Sequence, residues 1–559
     1  MKKSILLPIL VFLLSLTSCG FYHHGEGSIP VGPGSETETE SESESESNPG
    51  SESESEVESE STPDKPSENE SEKESENEPE KDPVVPDIPK ENEDFDGYYR
   101  LYDNKLVYDE FTPSDPHTGE AKMLVIPLKF TAGAPKYSVS SFTATKLQNI
   151  NNYFFGKKED TPNSWNSLKT YFETTSLNQL SVSGIVTDPY EVGSTYTVKK
   201  ICEQDNENLE MLQTVFKSAV EWVKSNHNED WSSYDMNDDK FFDSVHFITN
   251  LNYNTTLEGA NQPFWPHKWE ILDTGSGSLN SPLAKTYETT ALGHLEDAET
   301  IIHEQSHVFG IMDYYDYSYS GVDYVGCLDM QSHNEFDWNS FSKFSVGWTN
   351  PFVIDGTKNS TTVTIESAAL TNQCLVVPAN HSTFNGSAFD EYILIELFTN
   401  EGNNAGHWNT YFSNTTYGIR LYHVDARLVS YYYEKEITNL EEAKSLFSRG
   451  DYVDVGCNNS YKYDDYMGLE AWADYKLLTL IQKGGTNTFG EVDGSESYDF
   501  LSKGDMFYTG DTFTFAKYKH FFSKKNKTVT TMDNGETFPW TITFDSVSKS
   551  SATITVSKN

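Results

Sequence analysis

The chain has 559 residues, 87 of them acidic against 40 basic, and a formal net charge of −47. A chain this acidic, with no basic run, is repelled by a phosphate backbone, which excludes nucleic-acid binding. The acid is uneven: residues 21–97 hold 26 Asp/Glu and 4 Lys, net −22, whereas the rest is rich in Tyr, Phe and Trp and long enough for one or two large cores.

Met1–Gly20 has the features of an export signal: Lys2 and Lys3, an apolar run from Ile5 to Leu14, then small residues. The run is too short to cross a ~30 Å hydrocarbon core. Leu16-Thr17-Ser18-Cys19 resembles a bacterial lipobox, so residues 1–18 are expected to be removed and Cys19 to carry lipid. Diacylation would anchor the protein to the membrane, on its outer side. Residues 19–97 then make an acidic Ser/Glu-rich stalk, expected to be disordered because it repels itself and has little to bury. Cys202, Cys327, Cys374 and Cys457 form no C-x-x-C pair, and the sequence leaves open whether they are oxidised.

Folding signals begin near Tyr98. Met123–Phe130 is an apolar run suited to a buried strand, Ser167–Thr175 has a helical face of Leu168, Tyr171 and Phe172, and Leu180–Val186 alternates as a strand does. Leu209–Val223 is amphipathic and helical, and Ser244–Ile248 is a further strand. This mixture predicts an α/β or α+β catalytic domain over 98–350. From Phe352 the texture changes to short strands between polar turns, among them Tyr392–Leu397, Ile419–His423, Trp540–Phe544 and Ala552–Val556. A β-sandwich-like C-terminal domain is expected over 351–559.

The chemistry sits in Ile301-Ile-His-Glu-Gln-Ser-His-Val-Phe-Gly310-Ile-Met-Asp313. His303 and His307, four apart on a helix, present both imidazoles on one face within reach of one Zn²⁺. Glu304 is placed to take a proton from a water at the metal's open position. Gly310 supplies the residue at which a helix stops and reverses, which brings Asp313 back as a hard third ligand. Met330, in Leu328-Asp-Met-Gln331, is the expected methionine-bearing turn beneath the metal. Glu335 is the rival third ligand, carried on a later helix.

These residues resemble the immune inhibitor A-like zinc metallopeptidases of bacteria. The likeness extends to Asn152-Tyr-Phe-Phe, Ser167–Val182, Ser233–Asp243, Trp265-Pro-His-Lys-Trp269, Asp313-Tyr-Tyr-Asp316, Phe341–Trp348, Glu391–Glu396 and Tyr417–Asp425, in order, over residues 120–430. It departs at Ser306, where the family usually has Gly, and at Ile311-Met312, where it has Leu-Pro. The resemblance implies a zincin-like, metzincin-type α+β catalytic domain and a monomeric, zinc-dependent endopeptidase acting on extracellular or host proteins. The competing readings are an adhesive or binding surface lipoprotein and a zinc hydrolase of glycan or cell-wall amide bonds.

Weaker signals remain. Asp235, Asn237, Asp239 and Asp243 have the 1-3-5-9 spacing of a Ca²⁺ loop, but Lys240 replaces the sixth-position Gly and His246 stands twelfth, so an acid-rich turn competes with calcium. His333 is a contact for a tetrahedral intermediate or a surface histidine. His267 is packed between Trp265 and Trp269 or a substrate contact, and His423 and Asp425 stabilise a sheet edge or domain interface, with a second metal site as the competing reading.

Overall fold

The computed structural model describes residues 91–559 except 109–115, 135–136, 163–164, 205–208, 254–262, 272–280, 317–321, 406–415, 431–432, 434, 450, 460–474, 491–499 and 523–528. The expected signal segment, Cys19 and nearly all of the stalk lie outside the described residues. The fold is mixed α+β.

Strand β1 (Tyr98–Arg100) is followed by β2 (Gly119–Lys129), in which Met123–Leu128 are buried whichever side they point to. Helix α1 (Ala144–Phe155) starts where Thr143 Oγ1 accepts from Lys146 N, and α2 (Leu168–Thr175) where Ser167 Oγ accepts from Thr170 N. Both pack on β3 (Leu180–Val186). Helix α3 (Glu210–Asn226) puts Leu212, Val215 and Phe216 in one core with Leu124 and Ile126, while Met123 and Val125 face the other way into the core shared by α1 and α2. This is the period-2 alternation of a strand covered on both sides.

Strands β4 (Ser244–Thr249), β5 (His267–Glu270) and β6 (Thr286–Ala291) extend this sheet in the order β3-β2-β4-β6-β5, and the short strand Tyr190–Glu191 also pairs with β2. All its pairings are parallel except β6 with the edge strand β5. Helix α4 (Glu299–Val308) comes after β6 and lies against β5 and β6. Two short helices follow, α5 (Met330–His333) and α6 (Ser340–Ser345).

Beyond Pro351 come β7 (Phe352–Ile354), β8 (Ser360–Glu366), β9 (Leu375–Pro378), β10 (Glu391–Thr399), β11 (Tyr417–Asp425) and β12 (Leu478–Leu480). One sheet runs β1-β7-β9-β10-β11-β12. A second joins β8 to β13 (Thr512–Thr514), β14 (Trp540–Val547) and β15 (Ser551–Lys558) in the order β8-β15-β14-β13. Ile393, Ile395 and Leu397 of β10 share a core with Val363 and Ile365 of β8 and Ile554 and Val556 of β15. The opposite face of β10 puts Tyr392, Leu394 and Phe398 into the core that holds Ile301, Met330 and Phe341. Residues on both sides of Pro351 therefore share one core, and the described residues fall in one compact unit. Among them no helix is long and apolar enough to cross a membrane. Cys327, Cys374 and Cys457 are buried thiols and Cys202 is half-buried.

Candidate metal centre

The last turn of α4 is shaped by its termination. Gly310 has φ +90°, Gly310 N donates to His307 O and Ile311 N to Ser306 O, the paired bonds of a left-handed helix cap. The reversed chain delivers Asp313 to the helix end. Asp313 Oδ1 lies 2.9 Å from His303 Nε2 and 3.5 Å from His307 Nε2, and the two Nε2 atoms are 3.2 Å apart. Ligands about 2.0–2.1 Å from a tetrahedral zinc stand roughly 3.3 Å from one another, so the three separations match that arrangement.

Hydrogen bonding sets which atoms of these residues face one another. His303 Nδ1 donates to Met330 O at 2.9 Å and His307 Nδ1 to Ile311 O at 2.7 Å. Each ring thereby turns its Nε2 toward the other and toward Asp313 Oδ1, where a cation, or a proton on His307, offsets the repulsion between the lone pairs. Burial alone would push the Asp313 carboxyl up, yet His307 and His303 hold it well below the usual carboxylate range. Burial opposes a charge on His307 too, but Asp313 and Glu304 raise it to about 9. Positive charge is wanted at this point. His303, Glu304 and Asp313 are almost wholly buried, while the His307 side chain is 14% exposed and gives the centre its side toward solvent.

Around the ligands, Ser306 Oγ donates to Ile302 O and accepts from Trp338 Nε1 at 3.1 Å. Its hydroxyl thus has a use where the resembled family has glycine. Ile311, at another departure, acts through its carbonyl. Met330 is fully buried, and its carbonyl rather than its sulfur holds His303. Asp329 caps α5, accepting from Gln331 N at 2.9 Å, and its other oxygen accepts from Asn339 N and Nδ2 at 2.8 Å.

Behind Glu304 lies a polar row that the sequence did not single out. Gln305 Oε1 accepts from Ser244 Oγ at 2.9 Å and stands 3.0 Å from His246 Nε2; His246 Nδ1 is 2.8 Å from Glu288 Oε2. Burial drives His246 down to about 3 and, together with Glu304, holds Glu288 well above the carboxyl range. Burial thus favours the uncharged form of each, and both Ser244 Oγ and Gln305 Oε1 face His246 Nε2 at 3.0 Å. The signal available in the sequence was one acid in the otherwise uncharged Thr286–Ala291.

The other expected residues fall elsewhere. Glu335 is buried, its carboxylate is not among the ligand atoms that converge with His303 and His307, and burial together with the charges of Glu299 and Asp297 pushes it up to about 9. Asp235 accepts from Asp239 N and Lys240 N, Asp239 from Phe241 N, Asn237 Oδ1 from Asp239 N, and Asp243 from Met236 N. The 235–243 carboxylates thus fold back on their own amides, and His246 is on β4, opposite Glu288. Among the described residues, ligand atoms of three groups converge at His303, His307 and Asp313 and at Glu391, His423 and Asp533, and not in the 235–243 turn. His333 is half-buried with its ring edge-on to Phe500, 5.1 Å between centroids. His267 is packed, its Nδ1 2.7 Å from Trp265 O and its Nε2 3.2 Å from Tyr287 Oη. No protein-family model and no curated protein matches the chain.

Proposed function

We propose that the protein is a zinc-dependent endopeptidase of the immune inhibitor A-like kind, lipid-anchored at Cys19 and working outside the membrane on extracellular or host proteins. The observation that carries the reading is the convergence of His303 Nε2, His307 Nε2 and Asp313 Oδ1 with buried Glu304 beside the first of them. A purely structural zinc needs no carboxylate base at that place.

His303, His307 and Asp313 would hold the metal, which when bound supplies a Lewis acid that polarises a carbonyl and brings a water's pKa toward neutrality. Met330 O and Ile311 O keep each imidazole in the tautomer that leaves Nε2 free to bind. Glu304 accepts the proton of the attacking water and passes it to the leaving amine.

A peptide rather than a glycan is favoured by β5. It is the antiparallel edge of its sheet and touches α4, so an extended chain laid along it would gain main-chain hydrogen bonds beside the metal helix. The sheet order and the glycine-ended metal helix support a metzincin-type catalytic part, and the shared core of the two later sheets supports a β-sandwich-like part. The test is casein cleavage by the full chain and by Glu304→Ala, with zinc measured on both. The mutant is expected to keep zinc and lose about 10²–10⁴-fold in rate. Cleavage that survives both Glu304→Ala and chelation would sink the reading. Mucin and peptidoglycan assayed alongside test the glycan and cell-wall alternatives.

A further inference from the structure

The second group of converging ligand atoms belongs to the β10–β11 pair. Antiparallel register sets Glu391 opposite Asp425 and Ile393 opposite His423, so Glu391 and His423 are diagonal neighbours on one face of the sheet. Their side chains are no more than 2% exposed, and His423 Nε2 stands 2.7 Å from Glu391 Oε1. Against them folds the turn Met532–Glu536, whose Asp533 N and Asn534 N donate to the two Glu391 oxygens at 2.8 and 2.7 Å. The Asp533 carboxylate completes a set in which one ligand atom from each residue lies within 4.8 Å of the others.

Charge makes this set unlike an ordinary ion pair. Arg427 is committed to Asp425 through two bonds of 2.8 and 2.9 Å, and its third arm reaches Glu436 at 3.1 Å. Two further carboxylates, Glu391 and Asp533, then share a single imidazole. Phe522 lies against that ring at 4.3 Å, fixing where its nitrogen points. One imidazole nitrogen with two carboxylates is a donor set for a borderline divalent ion, whereas calcium and magnesium favour oxygen alone.

We propose that Glu391, His423 and Asp533 form a second divalent-metal site, for zinc or manganese, which fastens the Met532–Glu536 turn to the sheet. Half-buried Asp533 is its route to solvent. The site is independent of the peptidase reading, so it is tested with the first centre removed. The full chain carrying His303→Ala and His307→Ala is dialysed against zinc or manganese, then against metal-free buffer, and its bound metal is counted. One ion per chain is expected, falling at least ~10-fold when Asp533→Asn is added. Chelator should lower the melting temperature of the first variant and leave that of the second unmoved. Should the double-alanine chain fail to fold, the wild type against Asp533→Asn alone reads the same loss of one ion. Absence of metal from the first variant, or equal metal with and without Asp533→Asn, overturns the proposal and leaves a protonated histidine held between carboxylates.

Discussion

Two imidazole nitrogens 3.2 Å apart, each ring's Nδ1 proton given to a backbone carbonyl, define what single residues contribute at the candidate metal centre. Asp313→Asn keeps the size of the third ligand and removes its charge. Zinc affinity is expected to drop at least ~10-fold, read by competition with a chelator, and unchanged affinity would remove Asp313 from the ligand set. Glu335 gives a different kind of prediction, because its folded pKa of about 9 stands above the ordinary carboxyl value. Between roughly pH 4.5 and 9 the folded state keeps a proton that the unfolded state has lost, so this group costs stability as pH rises, by up to ~1.4 kcal/mol per unit. Glu335→Gln stays neutral at every pH. Its stability advantage over the wild type is expected to be small at pH 5 and to widen toward pH 9 in urea unfolding. A gap that does not change with pH would show that Glu335 ionises freely in the fold.

At the scale of elements, legibility followed whether the cause was local. Met123–Phe130 and Leu180–Val186 carry their strand pattern in their own residues, and His303 and His307 meet because four residues make about one helical turn. Thr286–Ala291 was not legible: Tyr-Glu-Thr-Thr reads as polar, and it is buried because β4 and β5 flank it and α4 lies against it. His246 was legible as a strand residue and as a mismatch at the twelfth place of a calcium loop, but not as a partner of Glu288, which lies 42 residues on. Gly310 is the local feature whose consequence is longest. At φ +90° an alanine is strained, so Gly310→Ala should destabilise by about 1 kcal/mol or more and weaken zinc retention with it. Stability and metal content measured together check this; loss of stability with undiminished zinc affinity would mean that the turn does not set the position of Asp313.

Across the whole molecule the candidate metal centre rests on a sheet drawn from the other half of the chain. Glu396 on β10 and Arg420 on β11 are register partners and form a buried ion pair at 2.5 Å. Arg420 Nη1 donates to Leu328 O at 2.8 Å, and Glu396 Oε2 accepts from Ser340 N at 2.8 Å. The pair thus grips both ends of the segment that contains Met330, whose carbonyl orients His303. Nothing near Leu328 announces this, because its partner is 92 residues away. Buried ion pairs add little net stability over apolar packing, but removing one partner strands the other's charge and costs about 3–5 kcal/mol. Glu396→Gln should therefore lower the melting temperature and, in the fraction still folded, weaken zinc binding through misorientation of His303. Arg420→Met in the same chain removes the stranded charge and should recover much of the stability, whereas zinc affinity should stay low because the Leu328 carbonyl has lost its donor. Recovery of both together would place the role of the pair in folding alone; recovery of stability without zinc affinity would show that this sheet sets the geometry of the metal centre.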